Sequence, residues 1–214
     1  MSRRLPELVF IDIAVPDIGV LAAGLRPEVV PFVLEPEIPA LSQIADVSVE
    51  FGQISAVHVI AHGEPGIVAF SSGPISSETI ASNRPAFQKI SQALGGTGQL
   101  LLWSCESGQG ARGAALVSAL TNATGAQVAA ATGRVGSAAQ GGRWQLDVRP
   151  ADMRTSLPLT GQGAAGYPAV MQITKAKLSS ITTDTGSSST DFITDDQSLV
   201  LNGTVTGKTG NVLY

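Results

Sequence analysis

The stretch from Gln99 to Gly110, QLLLWSCESGQG, constrains the chain more than any other. Leu100, Leu101, Leu102 and Trp103 form an unbroken apolar run, the pattern of a strand in a parallel sheet covered on both faces. From Ala111 the apolar residues recur with helical spacing, through Ala114, Ala115, Val117, Leu120 and Ala123. Cys105, the only cysteine, therefore stands where a parallel strand gives way to a helix. In open α/β sheets that carboxyl edge is where ligands and catalytic groups collect.

Ala56 to Gly66, AVHVIAHGEPG, has the same form: a short apolar strand, then His62-Gly63, then a turn marked by Pro65 and Gly66. Two strands ending in His-Gly and in Cys point to nucleophilic catalysis. A thiol attacks as its thiolate, and a nearby imidazole takes its proton, so the pairing predicts a Cys105 partly ionised near neutral pH. Gly63 lacks a side chain, so its N–H can approach a developing oxyanion, with the Cys105 N–H as second donor. The competing reading is structural, because a lone cysteine is often a buried core residue. His58 is a rival base, but it lies mid-strand, about 13 Å from His62 at about 3.3 Å per residue. That spacing also prevents the two histidines from chelating one metal. No carboxylate stands out as an orienting group for His62.

The His-Gly strand end followed by a strand ending in Ser-Cys-Glu-Ser-Gly resembles the caspase-like cysteine peptidases, the caspase, gingipain, separase and CHAT group. WSCESG is most similar to the Ser-Ala-Cys-Glu-Thr-Gly signature of CHAT domains. Residues from about Glu7 to Pro150 also resemble an uncharacterised domain near the N-terminus of very large bacterial surface proteins and adhesins. The resemblance implies a caspase-like α/β fold, Cys105 as nucleophile, His62 as general base, and a peptide or protein substrate that includes the parent chain itself. It also implies an extracellular or cell-surface location, with the export signal outside this stretch. Glu64, Glu106 and Arg134 flank the expected site and are candidates for substrate binding. Solvated loop charges are their ordinary alternative.

Strand and helix patterns alternate along the chain, which predicts a mostly parallel sheet with helices on both faces. Strands are expected at Leu8–Val15, Val29–Leu34, Ala56–Ala61, Gln99–Trp103, Gln127–Thr132 and Trp144–Val148. Helices are expected from Asp17, which would cap the first, and over Ala40–Phe51, Ser76–Leu94 and 111–124. Ile67 to Ser72 reads as a hairpin piece at the sheet edge. The expected organisation is an α/β domain over 1–150, a linker over 151–178, and the start of a bacterial immunoglobulin-like repeat over 179–214. Such a sandwich needs about 100 residues, so the repeat would be partial, a β-rich or irregular extension.

The balance of charge narrows the partners. With 13 basic residues spread through 214 and a formal charge of −4, the chain lacks the basic patch of a nucleic-acid binder. No run approaches the roughly 18 apolar residues of a membrane span. One cysteine offers neither an internal disulfide nor a zinc pattern, and the glycines match no phosphate or dinucleotide fingerprint, so no cofactor is expected. Two functions remain in view. One is a cysteine endopeptidase. The other is a non-catalytic docking or retention module of an adhesin on the same scaffold.

Overall fold

The alternating patterns are realised as an α/β fold in the computed structural model, which describes residues 5–172 and the strands Lys175–Ile181 and Leu201–Thr206. The first sixty residues supply β1 (Glu7–Asp12), α1 (Ile18–Ala23), β2 (Val29–Leu34), α2 (Ala40–Phe51) and β3 (Ala56–Ile60). Then come the short strands β4 (His62–Glu64), β5 (Ile67–Phe70) and β6 (Gly73–Ile75). The helix α3 (Arg84–Leu94) leads to β7 (Gln99–Trp103), α4 (Gly110–Thr124), β8 (Gln127–Ala130) and a last short helix, α5 (Gly161–Gly166).

The main sheet has the order β2-β1-β3-β7-β8, and every neighbouring pair is parallel. Residues 8–11 of β1 are completely buried, as an uninterrupted apolar run requires. Leu8 and Phe10 face a core shared with Leu41 and Ile44 of α2, Phe87 and Ile90 of α3, and Leu116 and Leu120 of α4. Val9 and Ile11 face a second core with Leu21 of α1, Ile60, Trp103 and Cys105. Each such aliphatic side chain stabilises the fold by about 1.5–3 kcal/mol.

Local chemistry shifts several of the expected boundaries. Asp17 adopts a left-handed conformation, φ 54°, and makes no side-chain cap for α1. The helical pattern from Ser76 is realised only from Arg84. Ser76 and Thr79 first close a polar turn, the Ser76 N–H donating to Thr79 Oγ1 at 3.0 Å. Ile67–Phe70 pairs with β4 and β6 in a small antiparallel sheet of its own. The stretch Trp144–Val148 does not form a sixth strand; it reaches the sheet through one antiparallel bridge between Val148 and Ala130.

The largest correction concerns the domain boundary. Residues 151–172, expected as linker, belong to the same compact unit as the sheet, which ends at Gln172. Their apolar side chains are widely spaced among glycines and prolines, so no periodicity announces them. Met153, Leu159, Tyr167, Val170 and Met171 are nevertheless buried, and four of them lie in the second core. Polar contacts fix the same stretch: Tyr167 Oη donates to the Pro16 carbonyl at 2.7 Å, and Arg26 Nε to the Leu157 carbonyl at 2.6 Å.

The second unit, residues 173–214, contains β9 (Lys175–Ile181) and β10 (Leu201–Thr206), paired antiparallel with an irregularity at Asn202/Gly203. The remainder of the expected repeat lies outside the described residues. Among the described residues no helix is long and apolar enough to cross a membrane.

Five buried side chains at about 1.5–3 kcal/mol each outweigh much of a domain's usual net stability of about 5–15 kcal/mol. A chain ending at Pro150 is therefore expected to lose its cooperative thermal transition. A chain ending at Gln172 is expected to keep it, as followed by circular dichroism.

Candidate functional site

Parallel register sets the site. Ile60 at the end of β3 pairs with Trp103 at the end of β7, so His62 and Cys105 each follow by two residues on adjacent strands. Their backbones then converge. A Cβ placed on Gly63 would lie 2.6 Å from the Cys105 carbonyl oxygen and 2.9 Å from Ser104 Cβ. Only glycine permits that approach.

The group that orients His62 comes from the other neighbour of β3. Asp12, buried at the end of β1, accepts hydrogen bonds from the Ala14 N–H at 3.0 Å, the Ser71 N–H at 2.8 Å and the Ser71 hydroxyl at 2.7 Å. This pins the loop after β1, and the Ala14 carbonyl on that loop lies 3.0 Å from His62 Nε2. A carbonyl only accepts, so Nε2 carries the proton and the neutral ring keeps its lone pair on Nδ1. Nδ1 is buried and has no hydrogen-bond partner among the described residues. The sequence offered no orienting carboxylate because the orienter is a main-chain carbonyl. Its only trace in the sequence is Asp12 at a strand end.

The thiol is in a different state from the one expected. Cys105 is 0 % exposed, with Sγ accepting from the Val135 N–H at 3.2 Å and facing the Val135 carbonyl at 3.8 Å. Burial pushes its pKa up to about 11, against the opposing pull of the Val135 amide. The expectation of a partly ionised thiol is thus corrected for this state of the chain: at neutral pH Cys105 is protonated.

The cover over the strand end explains why. Residues 169–172 run as an extended segment beside the loop after β8. The Met171 N–H donates to the Val135 carbonyl at 2.9 Å, and the Ser137 N–H to the Ala169 carbonyl at 2.7 Å. Gly136, at φ 126°, makes room for this segment, since a Cβ there would lie 2.3 Å from the Ala169 oxygen. On the other side the Gly63 N–H donates to the Met171 carbonyl at 3.1 Å. The amide expected to hold an oxyanion therefore already holds a carbonyl of the chain.

Of the flanking charges, Glu106 follows the thiol directly, with a left-handed φ of 59° and its N–H on the Gly133 carbonyl at 2.9 Å. A side-chain-bearing residue in that region costs about 1–2 kcal/mol, a strain of the kind that gathers at functional sites. Arg134 is exposed and lines a surface pocket with Gly133, Arg143, Gln145 and Asp147. Glu64 is half-buried on β4, where it pairs with Ile67 in the small sheet.

His58 belongs elsewhere. It is fully buried, and its Nδ1 accepts from the Trp103 indole N–H at 3.1 Å. An indole only donates, so Nε2 carries the proton and donates to Glu7 at 3.1 Å. Glu7 also takes Arg26 as an ion-pair partner and the Ser156 hydroxyl at 3.1 Å. Burial pushes the Glu7 carboxyl up, but the hydrogen bonds from His58 and Arg26 outweigh it and hold the pKa at about 2. Burial lowers the His58 pKa below its ordinary 6.5, against the pull of Glu7.

The two shifts have a common sign for stability. The unfolded chain binds protons more readily at both groups, so stability falls as pH falls. The His58 contribution is lost as pH drops below 6.5, and that of Glu7 as pH drops from 4.5 towards about 2. Urea unfolding between pH 7 and pH 5 is expected to show falling stability, with a flatter dependence in His58→Gln.

No curated protein matches the chain. Residues 8–171 match the family described as a domain of unknown function, DUF4347. The match covers both cores, the Cys105 and His62 strand ends and the covering segment as far as Met171. The chain belongs to the DUF4347 family.

Proposed function

We propose that this domain is a caspase-like cysteine endopeptidase of a bacterial surface or adhesin protein, with Cys105 as nucleophile and His62 as its base. The observation that carries the reading is the fixed His62 ring beside the Gly63–Cys105 backbone contact. Its Nε2–H is engaged by the Ala14 carbonyl, which leaves a buried basic Nδ1 at the end of the strand adjacent to the cysteine strand. In the reaction Nδ1 takes the thiol proton as sulfur attacks a peptide carbonyl carbon. The Gly63 N–H stabilises the resulting oxyanion, and His62 returns the proton to the departing amine. Water then hydrolyses the thioester. The surface and adhesin assignment rests on the sequence resemblance.

The second reading, a non-catalytic docking or retention module, is favoured by one observation: the Cys105 thiol is fully buried and protonated. Peptide-library cleavage separates the two. General acid–base catalysis contributes about 10²–10⁴-fold, so His62→Ala is expected to lose cleavage by that factor and Cys105→Ala to lose it entirely. Cleavage that persists in Cys105→Ala supports docking, as does a wild type that cleaves neither added peptides nor its own chain.

A further inference from the structure

The peptide seated at the site is the chain's own. Residues 169–172 adopt the pose of a bound extended substrate, antiparallel to the loop after β8 through the Gly136–Val170 bridge and parallel to Gly63 through the Gly63–Gln172 bridge. Met171 is the residue of this segment that meets both Gly63 and Val135. Its carbonyl accepts the Gly63 N–H at 3.1 Å, and its own N–H donates to the carbonyl of Val135, whose amide donates to Cys105 Sγ at 3.2 Å.

Three polar atoms around this strand end are buried and without partners among the described residues: His62 Nδ1, Ser104 Oγ and Gln172 Oε1. Ser104 itself is 0 % exposed, and its Cβ stands against Gly63. Leaving a buried polar atom unsatisfied costs about 1–3 kcal/mol, so three of them on residues of these strand ends and of the segment beside them call for a chemical reason. The position of the Met171–Gln172 bond supplies one. The first compact unit ends at Gln172 and the second begins at Ile173.

We propose that the domain cleaves its own chain between Met171 and Gln172, an inference that rests on the peptidase reading above. Cys105 Sγ attacks the Met171 carbonyl carbon while its proton passes to His62 Nδ1. The Met171–Gln172 C–N bond breaks, His62 returns the proton to the Gln172 nitrogen, and Met171 is left as a thioester on Cys105. One water hydrolyses the thioester, giving a free Met171 carboxylate and restoring the thiol. Both bonds made and broken are accounted for with water as the sole co-reactant. Cleavage releases the second unit with a new N-terminus at Gln172.

The test is intact-mass analysis of the purified full chain over several days at neutral pH, beside Cys105→Ala and Gln172→Pro, with melting curves to confirm folding. The wild type is expected to convert by more than half to fragments 1–171 and 172–214, while both variants stay whole. The same samples are offered a peptide library. A whole wild-type chain that cleaves added peptides in a Cys105-dependent manner refutes self-cleavage and leaves the peptidase reading standing, with residues 169–172 acting as a plug. A whole chain without Cys105-dependent cleavage of any peptide overturns both. Cleavage at another bond refutes the assignment of Met171.

Discussion

The close approach of the Gly63 backbone to Ser104 and Cys105 is the contact on which the rest of the site depends. It exists because β3 and β7 are adjacent, parallel and in register through Ile60 and Trp103, so that both strands leave the sheet at one level. It also requires glycine, since a Cβ at residue 63 would overlap the Cys105 carbonyl. With that contact in place, the Gly63 N–H points to one carbonyl, that of Met171. The Ala14 carbonyl, fixed by Asp12, sets the tautomer of the neighbouring His62. Geometry that a catalytic pair would need thus follows from main-chain packing and one buried aspartate.

The second face of the sheet has its own anchor. Glu7, Arg26, His58 and Trp103 form a continuous, largely buried polar chain, joined by Ser156 from the stretch before α5. Removing one member of such a set typically costs about 3–5 kcal/mol, because the others are left unpaired. The network also explains how two histidines four residues apart differ so completely. His58 has both nitrogens engaged and its charge suppressed. His62 keeps one nitrogen without a partner among the described residues.

Much of this architecture was legible in the sequence, for a simple reason. Unbroken apolar runs such as Leu8–Ile11 and Leu100–Trp103 have few homes other than a doubly covered parallel sheet, and the order of strand and helix patterns gave the α/β class. The pairing of His62 with Cys105 at one edge followed from their common place after a strand. What escaped was non-periodic. Tyr167, Val170 and Met171 carry large buried side chains in a stretch whose glycines and prolines read as linker. The Cys105 thiol is held by Val135, thirty positions further along the chain, and Val135 in turn takes the Met171 N–H from that same stretch. No local pattern encodes a contact at that separation. The orienting carbonyl of Ala14 was invisible because every residue has one.

Catalysis by the Cys105–His62 pair requires His62 to be held with Nε2 protonated and the lone pair on Nδ1. Nitrogen-15 NMR of the imidazole in the Cys105→Ala chain reads this state directly, without interference from turnover. Two-bond correlations from the neutral ring are predicted to assign His62 as the Nε2–H tautomer, with Nδ1 making no hydrogen bond. A ring protonated on Nδ1 instead would place a lone pair against the Ala14 carbonyl and contradict the account.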